Sequence, residues 1–392
     1  MSSSKECDDS SFKNDNTNNN NDNDNDNNII INNDDNININ NNIIQTNDDQ
    51  PFVSLDLNSP FDNAILPSEF DTSKYIKTFT SSKGNLYGIT FQYSSPDITI
   101  ATSTMNISPD NTLHILTSSD ESTALTEVTS TSLPYPPSKL LFSPHEQNKN
   151  LLIASSDTLY LYNYTSPSIT LLNTFKRTDQ VYNGPLTSCD WATASSNVIA
   201  VASVDTTVSV IDVETMEPKI IFIAYDKEVY DISFGPDEFT FVTTGADGSM
   251  RMFDTRSTDV NSIIFETNDG TPMTNVEWNL SDPNFILSTV MDKNDIYILD
   301  QRNTSVPYAI LKDHNNVVNN AVWAPELSSM LCSVSDDKTA LIWDVYTESI
   351  TPAESVMVYN AVKEVENVAW VAKSEEWIGI VYGNCAEILK VK

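Results

Sequence analysis

The stretch GADGSMRMFDTR (residues 245–256) contains two aspartates, Asp247 and Asp254, around a run that alternates in polarity. It could be a metal or phosphate loop, a pair of catalytic carboxylates, or one unit of a repeat. Alternation over five or six residues predicts a β-strand. Because a strand rises about 3.3 Å per residue, the two carboxylates are expected roughly 20 Å apart. That separation excludes joint acid–base chemistry and leaves the repeat to be tested.

Seven segments of the chain share one order of features. Each has an apolar strand that ends on an aromatic residue, a short turn, a strand of small residues such as VIAVAS, a second turn, and an alternating strand. The aromatic residues are Phe91, Phe142, Trp191, Phe234, Trp278, Trp323 and Trp370. Successive ones lie 43 to 51 residues apart. We find no apolar stripe with a helical period that is sustained over three turns.

Seven repeats of this length, made of strands and turns, are typical of a β-propeller built from WD repeats. A single four-stranded blade cannot bury both of its faces, so blades packed around an axis cover one another. The sequence therefore predicts an all-β fold, a seven-bladed WD40 β-propeller, over residues 70–392. The alternating segment at residues 74–79 is expected to supply the outer strand that the last repeat lacks, which would close the ring.

Residues 1–69 differ in composition from the rest. Between residues 11 and 50, 26 of 40 residues are Asn or Asp. Such a segment has too little apolar surface to offset the entropy lost on ordering. We therefore predict a disordered, low-complexity, Asn/Asp-rich tail that precedes the propeller.

The net charge of −34 comes from 55 acidic and 21 basic residues, and residues 73–392 carry −21 of it. This charge repels phosphate backbones and anionic headgroups, so we expect no direct binding to nucleic acid or membranes. The four cysteines form no CxxC pair, which disfavours a disulfide framework or a zinc site. No apolar run reaches the roughly 18 residues of a membrane span. We expect a soluble intracellular protein with a monomeric propeller.

Aspartates recur between the second and third strands of the repeats, at Asp205, Asp247, Asp292 and Asp337. Recurrence at one position favours a structural role, in which each carboxylate accepts hydrogen bonds from turn amides. We find no GxSxG, HExxH or phosphate-loop motif in the sequence. We therefore predict no catalytic residue, no metal site and no cofactor, in a protein that is not an enzyme.

The sixth repeat is the most complete. It has His314, Ser333, Asp337 and Trp343 at the positions that form a buried hydrogen-bonded set in WD repeats. Other repeats have Tyr182, Tyr225, Asp269 or Ala361 at the histidine position. We expect those blades to be held by packing and by other contacts.

Two arginines follow strand-end acids in adjacent repeats. Asp254-Thr255-Arg256 and Asp300-Gln301-Arg302 match the end of a W-D-x-R pattern, with Phe253 and Leu299 in place of tryptophan. In one interpretation, each arginine pairs with a neighbouring acid at the rim of its blade. In the other, both arginines belong to a docking surface on one face of the ring.

Several segments resemble a known family. They are residues 224–234 (AYDKEVYDISF), 245–256, 278–284, 340–344 (ALIWD) and 384–389 (NCAEIL). These segments are similar to the Transparent Testa Glabra family, the anthocyanin-regulating WD-repeat adaptors of plants, known in animals as cullin-four-associated factor seven. The resemblance is strong from about residue 180 onward and weaker over 75–165, and it does not cover the Asn-rich tail.

The resemblance implies a non-enzymatic scaffold. Members of this family hold protein kinases of the dual-specificity tyrosine-regulated and homeodomain-interacting types, or bHLH and MYB transcription factors in plants. They are also proposed substrate receptors of cullin-4 ubiquitin ligases and dock to the ligase adaptor through W-D-x-R motifs. The matching positions here are Asp254, Arg256, Asp300 and Arg302.

The loops before the first strands should open on the face opposite the arginines. This topology makes Lys227, Glu228, Tyr230, Asn315 and Asn316 candidates for a second partner surface. The alternative is that they are ordinary solvated loop residues.

Three functions remain open from the sequence. The leading hypothesis is an adaptor in cytoplasm and nucleus that assembles kinases or transcription factors. The first alternative is a cullin-4 substrate receptor. The second is a chaperone of basic proteins such as histones, which the charge of −21 outside the tail would attract.

Overall fold

The computed structural model describes residues 53–55, 76–93, 97–118, 124–177, 184–258, 261–345, 355–372 and 376–391. Within these ranges the chain forms 29 strands and one short 3-10 helix, Glu146–Asn148. The strands make seven antiparallel sheets. The predicted seven-bladed β-propeller is therefore confirmed.

Two strands precede the first complete blade, β1 (Val53–Leu55) and β2 (Ile76–Thr80). The blades then follow in chain order, and each runs from its innermost strand outward. Blade 1 contains β3 (Leu86–Phe91), β4 (Ile98–Thr104), β5 (Asn111–Ser118) and β6 (Thr126–Leu133). Blade 2 contains β7 (Lys139–Phe142), β8 (Leu151–Ser155), β9 (Leu159–Thr165) and β10 (Ser168–Phe175). Blade 3 contains β11 (Leu186–Trp191), β12 (Val198–Ser203), β13 (Thr207–Asp212) and β14 (Glu217–Ile223).

The remaining blades repeat this order. Blade 4 contains β15 (Val229–Phe234), β16 (Thr240–Gly245), β17 (Ser249–Asp254) and β18 (Asn261–Glu266). Blade 5 contains β19 (Met273–Trp278), β20 (Phe285–Val290), β21 (Ile296–Asp300) and β22 (Ala309–Leu311). Blade 6 contains β23 (Val318–Trp323), β24 (Met330–Ser335), β25 (Thr339–Asp344) and β26 (Ser355–Asn360). Blade 7 contains β27 (Val365–Trp370), β28 (Trp377–Tyr382) and β29 (Cys385–Lys390).

The core lies between the blades, in seven apolar clusters, one for each blade-to-blade interface. Strand β12 shows how the sequence produces this arrangement. Val198 and Ala200 pack towards blade 4, whereas Ile199 and Val201 pack towards blade 2. Because successive side chains of a strand point to opposite faces, a continuous apolar run fills two interfaces at once.

The ring closes through β2, which pairs with β29 and supplies the fourth strand of blade 7. Ile76 lies opposite Leu389, and Thr80 lies opposite Cys385. The predicted closing strand is confirmed over Ile76–Phe79. A second link joins blades 6 and 7, where Glu387 accepts hydrogen bonds of 2.6 Å from the hydroxyls of both Tyr359 and Tyr382.

Three residues of the predicted tail belong to the propeller. Val53–Leu55 pairs with β26 and becomes a fifth strand of blade 6. A run of three residues is too short to show a period, so the sequence analysis did not anticipate this strand. The other residues of the predicted tail, 1–52 and 56–69, lie outside the described residues.

The structure gives further facts about cysteines, metals and membranes. Cys189 and Cys332 are buried free thiols, Cys385 is a partly buried one, and Cys7 lies outside the described residues. Among the residues that the structure describes, no three potential metal ligands come together. In the same part of the chain, no helix has the length and apolar character needed to cross a membrane.

Candidate functional site

The four residues of the predicted hydrogen-bonded set meet inside blade 6. His314 Nδ1 lies 2.9 Å from Asp337 Oδ2, and His314 Nε2 lies 2.7 Å from the hydroxyl of Ser333. Trp343 Nε1 donates to the same hydroxyl at 2.8 Å. Burial alone would raise the pKa of Asp337, but hydrogen bonds from His314 and Thr339 hold it below its ordinary value. The network therefore ties the loop before β23 to three other parts of the blade.

The turn aspartates of blades 3, 4 and 6 make the same contact, whereas the turn aspartate of blade 5 does not. Asp205, Asp247 and Asp337 each accept the backbone N–H two residues further on, at 2.9–3.2 Å. In these three-residue turns the residue after the aspartate has a positive φ of 70–82°. The turn that contains Asp292 is two residues longer, and Asp292 itself has a positive φ of 57°. Asp292 thus takes the left-handed position of its turn instead of the amide-accepting one.

Blade 4 replaces the histidine of blade 6 with a tyrosine and an arginine. The hydroxyl of Tyr225 donates to the carbonyl oxygen of Thr243 at 2.9 Å. The guanidinium of Arg251 lies over the Tyr225 ring, 4.3 Å from its centroid, and pairs with Asp247 at 2.8 Å. The turn aspartate therefore keeps a partly buried charged partner although the histidine is absent from this position.

Blades 3 and 5 use other charged residues. Buried Arg177 donates to the hydroxyl of Thr207 at 2.6 Å and lies 3.4 Å from the carboxylate of Asp205. In blade 5, Asp269 pairs with Lys293 at 2.9 Å. Tyr182, the residue at the histidine position before blade 3, lies outside the described residues.

The two arginines at the ends of β17 and β21 fold back onto the aspartates two positions before them. Arg256 Nε and Nη2 lie 2.9 and 2.6 Å from the carboxylate of Asp254, and Arg302 makes the same contacts with Asp300. These hydrogen bonds hold the pKa of both carboxyls below the ordinary value. The arginine side chains are 59% and 63% exposed. Blades 4 and 5 therefore each present a guanidinium that is paired with a carboxylate but accessible to solvent.

Exposed apolar side chains are found at the same ends of these two blades. The turn between β15 and β16 places the exposed ring of Phe239 below Arg256, with Cζ 5.0 Å from the ring centroid. The turn between β19 and β20 exposes Leu280 at the same end of blade 5. We call this surface the arginine face; it comprises Phe239, Asp254, Arg256, Leu280, Asp300 and Arg302.

The departures from the motif tryptophan affect the core and not this surface. Phe253 is buried and stacks on Phe241, with centroids 5.3 Å apart and rings inclined by 11°. Leu299 is fully buried between blades 4 and 5. The exposed Asp–Arg pairs are built in the same way in both blades despite the two different core residues.

Four of the other candidates lie at the opposite ends of the blades. Lys227, Asn315 and Asn316 are exposed, and Glu228 is partly exposed. The carbonyl oxygen of Glu228 accepts the N–H of Ala246 from the turn between β16 and β17, at 2.9 Å. This contact places the loop at the end of blade 4 that is remote from Arg256. We call Lys227, Glu228, Asn315 and Asn316 the opposite face.

Tyr230 does not belong to that group. Strand β15 begins at Val229, so Tyr230 lies within the innermost strand of blade 4. There it lines a central channel of about 600 Å³. Burial and the charge of Glu228 raise the pKa of Tyr230 above its ordinary value.

Charged side chains meet in this channel. Lys139 of blade 2 reaches across to Asp231 of blade 4, with Nζ 3.1 Å from Oδ1. Asp231 also accepts hydrogen bonds from Ser188 of blade 3 and Asn275 of blade 5, at 2.5 and 3.1 Å. One buried carboxylate thus connects four successive blades. No motif or repeat in the sequence indicates this carboxylate.

A second set of side chains in the channel joins four of the blades to the blade that follows. The side chains that accept the backbone N–H of the following blade are Thr90, Asp190, Ser233 and Glu277. Asp190 accepts from Phe234 at 2.7 Å, and Glu277 accepts from Trp323 at 2.6 Å. Burial raises the pKa of Asp190 to about 6 and that of Glu277 to about 8. An acid directly before the strand-closing aromatic is the sequence signal that could have revealed these two contacts.

The fold and these surfaces define the class of protein: the chain is a WD-repeat β-propeller. Residues 216–254 and 305–344 match the family model described as WD domain, G-beta repeat. Over 263 residues the chain is 38% identical to the DDB1- and CUL4-associated factor 7 homolog of Dictyostelium discoideum. That match covers 66% of this chain and 81% of the relative.

Two fungal proteins are also similar. An uncharacterized WD repeat-containing protein of Schizosaccharomyces pombe is 30% identical over 366 residues, which covers 74% of this chain and 84% of the relative. A WD repeat-containing protein of Saccharomyces cerevisiae is 35% identical over 180 residues, or 41% of this chain and 34% of the relative. The chain belongs to the WD-repeat family of DDB1- and CUL4-associated factor 7. The predicted relation to the plant anthocyanin regulators stays a prediction.

Proposed function

We propose that this propeller is a non-enzymatic scaffold that assembles protein kinases, transcription factors or both into regulatory complexes in the cytoplasm and nucleus. The observation that supports this function best is the presence of two accessible surfaces on one ring, the arginine face and the opposite face. They lie at the two ends of the same blades, and β17 alone has six residues, so roughly 20 Å separates them.

A rigid separation is what a scaffold needs. Seven apolar interfaces and the cross-channel contacts of Asp231 hold the blades in fixed positions. Two partners bound to different faces are therefore kept close together, and the second binding event becomes effectively intramolecular. The scaffold adds no chemistry of its own in this mechanism. It raises the effective concentration of one partner near the other.

The test is affinity purification of the tagged full chain, followed by mass spectrometry. Two double variants separate the faces: R256E/R302E on the arginine face and K227E/N315R on the opposite face. We expect kinases or transcription factors among the proteins recovered with the wild type. Each variant should lose one group of partners and keep the other. Absence of both classes from the wild-type sample, or identical recovery by both variants, would contradict the proposal.

A second candidate function is supported by the matched Asp–Arg pairs in adjacent blades. We infer that the arginine face could dock the chain to a cullin-4 ligase adaptor, as the name of the Dictyostelium relative suggests for that protein. Both guanidiniums are accessible, and that of Arg256 lies over the exposed ring of Phe239. This combination of apolar contact and charge suits a protein interface.

Binding of purified ligase adaptor to the wild type and to R256E/R302E tests this candidate. The matched control is K219E, because Lys219 pairs with the strand-end Asp212 at 2.9 Å in blade 3 and is 43% exposed. We expect binding to weaken at least about tenfold in R256E/R302E and to stay unchanged in K219E. Equal binding by all three proteins, with equal thermal stability, would reject the ligase candidate and leave the scaffold proposal intact.

A further inference from the structure

The outer edge of blade 6 differs from the other described blade edges. Six sheets have four strands, whereas the sheet of blade 6 has β1 paired to the outer side of β26. The outermost strand of a blade normally presents unpaired backbone N–H and C=O groups, which form a template for another strand. In blade 6 the chain itself supplies that strand.

The pairing is short and independent of ring closure. Val53 lies opposite Tyr359 and Leu55 lies opposite Met357, so three residues of β1 cover half of the six residues of β26. Twenty residues separate β1 from β2, the strand that closes the ring in blade 7. An extended chain of that length reaches roughly 70 Å. The loss of β1 from β26 therefore does not require β2 to leave blade 7.

We propose that the outer edge of β26 is a strand-docking site for an extended segment of a protein partner, and that the chain's own Val53–Leu55 occupies the site until such a segment displaces it. Addition of a strand to an exposed sheet edge is a common mode of peptide recognition. Main-chain hydrogen bonds provide most of the affinity in this mode. The side chains that face the neighbouring strand provide the selectivity.

The apolar side chains of β26 indicate which segments would fit. Met357 and Tyr359 belong to the apolar core between blades 6 and 7, and residues opposite one another in an antiparallel pair share a face. A partner segment with aliphatic residues opposite Met357 and Tyr359 would extend that apolar surface. Because the chain carries a net charge of −34, basic residues on either side of the segment would favour its approach. The partner is thus an extended segment with alternating aliphatic residues and basic flanks.

Occupation of the site by the chain's own β1 sets the size of the expected effect. A flexible 20-residue connection has a root-mean-square length of roughly 25 Å, which corresponds to an effective concentration of about 1 mM. If β1 itself has an intrinsic Kd of about 100 µM for the edge, a free peptide binds the wild type about tenfold more weakly than it binds the empty edge.

The experiment uses the full chain with β1 blocked. The variant V53P/S54P/L55P removes all three backbone N–H donors of β1, and proline is excluded from the interior of a paired strand. The matched control N40P/N41P/N42P places the same number of prolines elsewhere in the N-terminal region. Hydrogen exchange is measured for the amides of Ser355–Asn360, and binding of a labelled peptide PFVSLDL (residues 51–57) with two added lysines at each end is measured by anisotropy.

We expect protection of the β26 amides that point towards β1 in the wild type and in the control, and loss of their protection in V53P/S54P/L55P, whereas the amides that pair with β25 stay protected in all three proteins. The peptide should bind that variant about tenfold more tightly than the wild type and restore protection. A peptide with Asp in place of its Val and Leu at positions 53 and 55 should fail to bind. Equal exchange in all three proteins, equal or absent peptide binding, or a dimer in which β1 pairs with a second copy would each overturn the proposal.

Discussion

Replacement of Glu277 by Gln should change the pH dependence of stability. Burial in the channel raises the pKa of Glu277 to about 8, and the charges of Asp190 and Asp231 add to this effect. The N–H of Trp323 and the charge of Lys139 act in the other direction. Glutamine can still accept the hydrogen bond from Trp323 but cannot ionise. The substitution therefore isolates the cost of charging this side chain inside the ring.

The sign of the effect follows from the two pKa values. In the unfolded chain Glu277 ionises near pH 4.3, whereas the folded protein holds the proton to about pH 8. The contribution of the protonated Glu277 to the free energy of unfolding is therefore fully present below the unfolded pKa. It is lost as the pH rises towards the folded pKa. One pKa unit corresponds to 1.36 kcal/mol, so between pH 6 and pH 8 the free energy of unfolding should fall by about 2 to 3 kcal/mol through this group.

Urea unfolding, followed by tryptophan fluorescence at pH 6, 7, 8 and 9, measures the difference. We expect the stability advantage of E277Q over the wild type to grow by about 2 to 3 kcal/mol between pH 6 and pH 8, and to level off above pH 8. The control is E326Q, since Glu326 is an exposed glutamate at the rim of the same channel. Parallel pH profiles for E277Q and the wild type would refute the reasoning.

Three further substitutions test the contacts inside the blades. W343F removes the donor to Ser333 and should lower the free energy of unfolding by about 1 to 2 kcal/mol in urea titrations. The control W377F, which alters a partly buried tryptophan of blade 7, should lower it less. The reverse order would contradict the role of the network. E387A leaves two buried tyrosine hydroxyls without their acceptor and should lower the free energy of unfolding by roughly 3 kcal/mol; a change below about 1 kcal/mol would show that water replaces the carboxylate. D337N should flatten the acid limb of the stability profile, because a carboxyl with a lowered pKa contributes stability above its ordinary pKa that is lost as the pH falls; an unchanged limb between pH 5 and pH 3 would refute this.

The architecture was predictable because its signals are local and repeated. Each blade places an aromatic residue at the end of its innermost strand, and a strand such as β12 needs only a continuous apolar run to fill the interfaces on both sides. Ring closure was predictable for the same reason. The alternating segment Ile76–Phe79 precedes the first repeat, and the last repeat lacks an outer strand. These features depend on periods of two residues and of about 45 residues.

The contacts in the channel were not predictable from such signals. Lys139 and Asp231 are 92 positions apart, and they pair because the innermost strands of blades 2 and 4, on either side of blade 3, both line the channel. The exchange of histidine for Tyr225 and Arg251 in blade 4 is likewise visible only in three dimensions, because the arginine comes from the third strand. Asp292 shows a different limit: two extra residues in one turn moved the aspartate into the left-handed position.

Closure through β2 and β29 has a consequence for synthesis of the protein. The two strands that must pair, β2 and β29, lie about 300 residues apart in the chain. At the usual rate of 5–20 residues per second, β2 leaves the ribosome roughly 15 to 60 seconds before its partner exists. During that interval blade 1 has no neighbour on one side, and the apolar surface that it will share with blade 7 is open to water. The nascent chain therefore carries an exposed apolar surface that favours aggregation until the ring closes.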